Sequence, residues 1–324
     1  EKGIENMKNL MIVLKRRAIW VFLLLMIVFF SVMSGNFLTM RNLLNVVKQV
    51  SIYGIASVGM TYVILLGGID LATGSIISFI NILAAYLMVN MGWNPILAVI
   101  CSLVASTVIG FLNGIIIAEI KMPALIVTFA SQTIFAGIAY IICNGTPISR
   151  FPESFLVIGQ GYVGPIPVPV IIMIICFAVG AFILVKTYFG RYFYALGGNE
   201  EAAELSGIHV KKVKCLVYSL SGLFAGIAGL VMLARANTGQ PNAGVGYEFD
   251  VITCVVLGGV SVNGGSGKIS NVIAGVLIIG VLSNGMVLLN ISSYMQMVIK
   301  GIILLLAVGS DCIQQQNLLK VKKA

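Results

Sequence analysis

Long apolar runs, several of them near 20 residues without a charge, constrain this chain more than any other feature of its sequence. A helix needs about 20 apolar residues to cross a bilayer. Hydrophobic residues make up 59% of the 324 residues and charged residues 10%, and the mean hydropathy is +1.05, which excludes an ordinary soluble domain. The alternating pattern of a transmembrane β-barrel is absent. We therefore predict an all-α polytopic membrane protein.

Ten membrane segments account for the apolar runs and for the basic clusters that flank them. We place them at about residues 18–34, 50–66, 76–89, 96–118, 123–143, 168–185, 215–234, 251–260, 269–289 and 294–308. The eighth segment is too short to cross by itself, and the first lacks a following cleavage site, so it is expected to remain uncleaved. Basic clusters within 2–17 and 320–323 predict that both termini are cytoplasmic. The whole chain, 1–324, is predicted to form one transmembrane domain.

Residues 190–214 form the longest strongly polar island in the chain, within a predicted cytoplasmic loop at 187–214. Asn199 is a residue type that caps helices, and Gly207 supplies a stop. The intervening sequence holds good helix formers and acids near the helix start, where the helix dipole favours them. Its members are Glu200, Glu201, Ala202, Ala203 and Glu204. We predict a short surface helix over 199–207, which serves either as a docking element for a soluble partner or as a plain connector.

Carboxylates beside apolar segments form a second group of candidates, because a charge in a bilayer must be paired, hydrated or functional. Asp70 follows Gly67 and Gly68 and precedes a helical run, so it either caps the third helix or lines a transport pathway. Glu248 and Asp250 precede the short eighth segment, where capping or hydration at the outer face is the simpler interpretation.

Small polar side chains inside the apolar segments form a third group. They either line a route for a hydroxylated solute or bond neighbouring helices. The candidates are Thr61, Asn113, Thr128, Gln132, Asn284 and Gln296. No aromatic residues cluster with them in the sequence, which favours a low-affinity passage over a tight sugar site.

The net charge of +9 follows from basic residues at the ends of membrane segments, so it indicates membrane topology and not nucleic-acid binding. We place Arg41, Arg150 and Arg235 at the outer face, together with a long loop at 144–167 that is rich in glycine and proline. The three arginines are either docking points for a soluble binding protein with acidic rims or plain solvated charges.

Catalytic and metal-binding signatures are absent from the sequence. The GGSGK stretch at 264–268 lacks the glycine spacing of a phosphate-binding loop, and no strand precedes it. The six cysteines have no Cys-x-x-Cys spacing, and His209 is the only histidine. We therefore predict a non-catalytic chain without a cofactor or metal of its own, which takes energy from a separate subunit or from an ion gradient.

Two glycine-rich stretches indicate an internal duplication. LLGGIDLATGSI at 65–76 is similar to VLGGVSVNGGSGKI at 256–269. Transporters with internal repeats place broken helices at corresponding positions of the two halves. The similarity therefore predicts a glycine break in each half of the chain.

Long motifs in this sequence resemble a known family. Glu201, Ala202, Ala203 and Gly207 have the Glu-Ala-Ala-x-x-x-Gly spacing that ABC-importer permeases present to their ATPase. YALGGNEEAAELSGIHVKKVK, YSLSGLFAGIAGL, GYEFDVITCVVLGGVSVNGG and ISSYMQMVIKGIILLLAV resemble, in order and spacing, the ribose-type simple-sugar permeases of the branched-chain amino acid/ribose permease superfamily. The resemblance extends over nearly the whole chain.

The resemblance implies a fold of the type II ABC importer permeases in the bacterial inner membrane. It implies a second permease subunit, identical or closely related, an ATPase subunit that binds ATP and Mg²⁺, and a soluble or lipid-anchored sugar-binding protein. Residues 199–207 would contact the ATPase, and the sugar would pass along the subunit interface. Ribose is the expected solute, with arabinose, xylose, galactose, a signalling furanone, inositol or a nucleoside as alternatives. A gradient-driven secondary transporter is the alternative from another class, and Asp70 is its main support.

Overall fold

The computed structural model describes residues 19–323, with side chains described as far as residue 313. Within this range the chain forms thirteen helices and four two-residue strands. The helices are α1 Ile19–Met33, α2 Met40–Leu65, α3 Ala72–Val89, α4 Pro95–Glu119, α5 Ala124–Cys143, α6 Glu153–Gln160, α7 Val168–Lys186, α8 Tyr188–Gly198, α9 Glu200–Leu205, α10 Val210–Ala236, α11 Tyr247–Leu257, α12 Ile269–Leu288 and α13 Ser293–Lys323. The strands are β1 Ile148–Ser149, β2 Tyr162–Val163, β3 Ile166–Pro167 and β4 Thr238–Gly239.

Eight of the described helices are long and apolar enough to cross a membrane, namely α2, α3, α4, α5, α7, α10, α12 and α13. The shorter apolar helix α1 and the 11-residue helix α11 occupy the remaining two predicted segments. The prediction of an all-α polytopic membrane protein is therefore confirmed. The basic cluster within 2–17 and the start of the first predicted segment lie outside the described residues.

Several predicted segment boundaries were wrong because helices continue through polar residues at the ends of apolar runs. The second segment begins at Met40 instead of about residue 50, and the third begins at Ala72 instead of 76. The seventh begins at Val210 instead of 215, so it includes three lysines that were assigned to the polar island. The last helix continues to Lys323, well beyond the predicted end at 308.

The centre of the bundle consists of α2, α3 and α10, which are mostly buried, whereas α4, α5, α7 and α13 leave most of their surface uncovered. Glycines allow α10 to pack closely on α4. A methyl group added at Gly222 would collide with the Ser106 carbonyl, and one added at Gly110 would collide with the Tyr218 carbonyl. Small residues at such crossings let helix backbones approach, as in membrane helix pairs generally.

The bundle has two ends, which we name after the short helices that lie there. The start of α10 is joined to α9 by an ion pair, and its last residues contact α6, where the Gln160 side chain donates to the Ala234 carbonyl (3.2 Å). We call these the α9 end and the α6 end. The predicted loop 144–167 is ordered at the α6 end, where β1 pairs with β4 and β2 pairs with β3.

The chain between α10 and α12 crosses the bundle without a continuous helix. Residues 237–246 run beside α3 from the α6 end, and α11 continues toward the α9 end. Side chains of α3 bond the non-helical backbone: the Gln240 N–H donates to Asn81 Oδ1 and the Gly244 N–H to Ser78 Oγ, each at 2.8 Å. Backbone that leaves a helix at membrane depth must find such partners. This path resolves how a segment too short to span can still complete a crossing.

Both glycine breaks that the internal similarity predicts are present, and both lie at the α9 end. α2 ends at Leu65 and α11 at Leu257, and the backbone then turns at Gly67 (φ +78°) and Gly259 (φ +77°). A hydrogen bond from the Gly265 N–H to the Leu65 carbonyl (2.9 Å) joins the two breaks directly.

Replacing Ser78 with Ala tests the support of residues 237–246. The change leaves the buried Gly244 N–H without its acceptor, and we expect a loss of about 1–3 kcal/mol in unfolding free energy. Ser102→Ala is the matched control, because Ser102 is also buried but donates only to the Ala98 carbonyl of its own helix. Thermal unfolding in detergent should show a clearly lower midpoint for Ser78→Ala than for Ser102→Ala. Equal midpoints would contradict the proposed support.

Candidate functional site

The helix predicted within the polar island is present as α9. Asn199 precedes it in an extended conformation and accepts the Ala202 N–H on its side-chain oxygen (2.9 Å). Glu200 and Glu201 occupy the first turn, where carboxylates stabilise the positive end of the helix dipole. Gly207 ends the segment with φ +84°, a conformation that L side chains rarely adopt. The prediction of a capped helix with a glycine stop is confirmed.

α9 presents an exposed surface on a fixed base. Ala203 is buried against the bundle, whereas Ala202, Glu201 and Glu204 are exposed. Leu205 follows them with 90% of its surface accessible. α9 therefore presents two carboxylates and one large apolar side chain to its surroundings. Sequence reasoning missed Leu205, although its position at the end of a polar helix was visible.

Two ion pairs connect the α9 region to the bundle. Lys214 Nζ lies 2.7 Å from Glu200 Oε1, which joins α10 to α9, and Lys211 pairs with Glu119 at the end of α4. Three of the four side chains are more than half exposed, so these pairs contribute little to stability. The Lys214–Glu200 pair connects α9 to α10, and the Lys211–Glu119 pair connects α10 to α4.

A junction of glycines connects α9 with both breaks. Gly197, two residues before the α9 cap, lies so close to the Leu65 carbonyl and the Gly265 N–H that a methyl group does not fit. Gly264 lies against the backbone of Gly67 and Gly197 in the same way. We call Gly67, Gly197, Gly264 and Gly265 the glycine junction. Backbone touches backbone here, so no flexible side chain separates the end of α8 from the ends of α2 and α11.

Tyr194 adds a side-chain bond to this junction. Its hydroxyl donates to the Gly267 carbonyl (2.9 Å), which joins α8 to the loop after α11. Burial raises the pKa of Tyr194 above its ordinary value, so the phenol stays protonated and keeps its role as donor.

Asp70 bonds the start of α3 from one residue before the N-cap, Leu71. Its side chain is buried, Oδ1 accepts the Ala72 N–H (3.0 Å) and Oδ2 accepts the Ser221 hydroxyl (2.7 Å). These contacts fix the start of α3 to the middle of α10. Of the two roles considered from the sequence, the structure thus favours the cap over an open position in a pathway.

Most of the small polar candidates are occupied within the bundle. Thr128 accepts the Leu71 N–H (3.1 Å) and so supports the break before α3. Asn284 and Asn42 exchange two side-chain hydrogen bonds of 2.9 Å. Thr61 is fully buried and bonds the Ser57 carbonyl of its own helix.

The remaining candidates differ in how far they are accessible. Asn113 is buried on α4 and Gln296 bonds the Ile291 carbonyl. Gln132 is half-buried on the mostly uncovered helix α5, and its amide donates to Glu248 Oε1 (2.9 Å). Glu248 is itself buried, and its Oε2 has no hydrogen-bond partner among the described residues. The structure therefore brings Gln132 and Glu248 together, but does not gather all six candidates along one route.

The comparisons with known proteins agree with one another over most of the chain. The family model described as branched-chain amino acid transport system / permease component matches residues 42–308. The chain belongs to this permease family. Ribose import permease protein RbsC of Bacillus subtilis is 43% identical over 291 residues, which is 89% of this chain and 90% of that protein. The L-arabinose transport system permease protein AraH of Escherichia coli is 39% identical over 286 residues, or 88% of this chain and 87% of that protein. No solved structure matches the chain.

In this permease the three arginines assigned to docking have different surroundings. Arg41, at the start of α2, and Arg150, beside β1, are exposed. Arg235, at the end of α10, is half-buried in the lining of a cavity. The three residues therefore share the α6 end but not the same exposure.

The sequence analysis of the permease missed an ion pair inside the apolar part of the chain. Lys300 of α13 lies 2.7 Å from Asp250 Oδ2 of α11 and 5.9 Å from the ring centre of Tyr53. A lysine in the middle of an apolar run was the available signal. Within the described residues of the permease, no group of three histidines, cysteines or carboxylates is arranged to hold a metal ion.

Gly197→Ala tests the glycine junction. The added methyl group collides with backbone atoms of Leu65 and Gly265, which cannot rotate away, so we expect at least about 1–3 kcal/mol of destabilisation. The neighbouring Gly198→Ala is the control, because a methyl group at Gly198 has no atom within 4 Å. Thermal unfolding of the two purified variants should show a clearly lower midpoint for Gly197→Ala than for Gly198→Ala. A junction that tolerates Gly197→Ala as well as Gly198→Ala is not tightly packed.

Proposed function

We propose that this chain is the membrane-spanning permease subunit of an ATP-driven importer, and that its solute is ribose. The observation that carries the proposal is 43% identity to ribose import permeases of Bacillus subtilis and Escherichia coli over about 90% of each chain. Relatives named for L-arabinose and xylose are less similar, at 39% and 34% identity. Ribose is therefore favoured among the monosaccharides.

The surface of α9 is the proposed contact with a separate ATPase subunit, which binds ATP and Mg²⁺. Glu201, Glu204 and Leu205 give this surface its charge and its apolar centre, and the buried Ala203 fixes the helix to the bundle. The glycine junction then offers a rigid route from the ATPase to the ends of α2 and α11. Closure of the ATPase pair would be converted into movement of both broken helices, as in rigid-body switching.

A second permease subunit, most simply a second copy of this chain, is proposed to cover part of the uncovered helices. α5 and α13 bury little of their surface within one chain. Gln132 on α5 is a polar group on such a face, where contact with a second subunit or a hydrated pathway satisfies it better than lipid does.

The α6 end is proposed to face outward and to receive a sugar-binding protein, with the α9 end in the cytoplasm. Arg41 and Arg150 are exposed at the α6 end and suit carboxylates on the rim of such a protein. With this orientation, we propose that both termini lie in the cytoplasm and that the membrane is a bacterial inner membrane.

Co-purification and reconstitution test the proposed function. The tagged chain, solubilised from its native membrane, should bring with it an ATPase and a sugar-binding protein. Liposomes that contain the recovered assembly should accumulate ribose only when ATP is inside, at the ATPase side, and the binding protein is outside. Ribose uptake driven by an ion gradient, by the chain alone, would refute the ATP-driven importer.

The double variant Glu201→Ala/Gly207→Val should separate ATP hydrolysis from transport. The first change removes a docking side chain, and the second strains the backbone at Gly207, which has a positive φ. A loss of about 2 kcal/mol at an interface weakens binding more than tenfold. We expect ribose uptake to fall by about that factor while the amount of inserted protein stays unchanged.

Glu153→Ala, which removes an exposed carboxylate of α6 at the other end of the bundle, serves as the control for this measurement. ATPase activity and uptake are measured in the same liposomes. Unaltered coupling in the double variant would remove α9 from the proposed mechanism.

A further inference from the structure

A cavity of about 410 Å³ opens at the α6 end, between α2, α3, α10 and the segment before α11. Its rim includes Ala236 and Gln240, which are exposed, and its floor includes Ile52, Asn81 and Met232, which are buried. The cavity therefore leads from the surface into the bundle. Its volume suits a small solute.

Arg235 contributes an uncompensated positive charge to this cavity. The side chain is half-buried, and its guanidinium forms no ion pair and no hydrogen bond with the residues that the structure describes. Its electrostatic neighbours are the phenols of Tyr247 and Tyr53, which carry no negative charge at neutral pH. A partly desolvated guanidinium presents five N–H donors, and a ligand with several oxygen acceptors would satisfy them.

Asn81 contributes a second unused donor. The residue is fully buried in the cavity floor, and its Oδ1 is occupied by the Gln240 N–H (2.8 Å). Its amide nitrogen has no hydrogen-bond partner within the described part of the chain. A buried amide nitrogen without a partner is uncommon and indicates that the site is completed by something else.

Tyr247 gives the cavity an aromatic wall. Its ring stacks on Tyr53 with 4.9 Å between ring centres and 27° between ring planes. The stacked pair could not be foreseen from the sequence, because its members come from α2 and α11. Flat apolar surface next to a few oriented polar groups is the usual composition of a small-molecule site, and it suits the C–H face and hydroxyl edge of a monosaccharide.

The neighbouring cavity on the other side of this pair is less suitable for a sugar. It measures about 510 Å³ and lies between α11 and α13, with Lys300 and Asp250 in its wall. These two charges already neutralise each other at 2.7 Å. Much of the remaining wall of this cavity consists of apolar side chains such as Phe249, Met297 and Leu304.

We infer that the cavity lined by Arg235, Asn81, Gln240 and Tyr247 is an entry site that binds an uncharged monosaccharide within one subunit. The inference rests on the proposed function for the identity of the sugar. It moves Arg235 from docking of the binding protein to contact with the solute. Sugar hydroxyls accept from the Arg235 and Asn81 donors, and the Tyr247 ring covers the apolar face of the sugar.

The test measures direct binding of ribose to the purified chain in lipid nanodiscs, without ATPase or binding protein, by saturation-transfer NMR. Arg235→Gln should weaken ribose binding by about tenfold or more, because it removes a charged donor group. Arg191→Gln is the control, since Arg191 of α8 is an exposed arginine away from this cavity, and it should leave binding unchanged.

Gln240→Ala guards against a folding defect in the arginine variant. Gln240 is exposed, and its backbone bond to Asn81 survives the change, so this variant should fold normally and weaken ribose binding about threefold. Equal ribose signals in wild type, Arg235→Gln and Gln240→Ala would overturn the inference. Preference for ribose 5-phosphate over ribose would overturn it too, in favour of an anion site.

Uptake by the complete assembly separates this inference from the proposed function. If the purified wild-type chain binds no ribose but the complete assembly takes up ribose with ATP, the entry site is refuted and the importer is not. Ribose binding that depends on Arg235, in an assembly that transports no ribose, would keep the site and refute the importer. If the Arg235→Gln variant loses the binding protein but binds ribose normally, Arg235 contacts the binding protein and not the sugar.

Discussion

Hydrogen bonds from side chains to non-helical backbone are the interaction on which this structure depends. A helix satisfies its own backbone in an apolar environment, but the chain leaves helical geometry at residues 66–71 and again at 237–246. Asp70 and Thr128 bond the first break, and Ser78 and Asn81 bond the second segment. α3 is accordingly the helix with the largest buried share, and its buried polar residues serve its neighbours' backbone.

At the α9 end, close packing of glycine backbone holds the breaks together in place of side-chain hydrogen bonds. The breaks after α2 and α11 meet each other and the end of α8 through backbone contacts that no side chain separates. α9 starts immediately after this junction and is oriented by Lys214 and by the buried Ala203. A surface for a partner and the ends of two broken helices therefore belong to one small, closely packed unit.

The sequence was sufficient wherever the signal was local. Apolar runs located the membrane helices, and the pair Asn199 and Gly207 located α9 with its cap and stop, because capping and positive φ depend on adjacent residues. It was insufficient wherever distant segments meet. The beginning of α10 was misplaced because basic residues were taken as loop, and the path of 237–246 required knowledge of α3. The Tyr53–Tyr247 stack and the Lys300–Asp250 pair likewise join elements far apart in sequence.

The reciprocal amide pair of Asn42 and Asn284 has a consequence for how such a chain evolves. Each side chain supplies the donor and the acceptor that the other needs, and both are buried where α2 and α12 meet. An apolar replacement of Asn42 leaves both amide atoms of Asn284 without a partner, together with the Phe37 carbonyl, to which the Asn42 amide also donates (2.9 Å). Apolar replacements at both positions leave only that carbonyl unsatisfied. Residues at these two positions are therefore expected to change together during evolution. Relatives of this chain are expected to keep both asparagines or to have lost both, and a lone survivor should be accompanied by a nearby substitute for its missing partner.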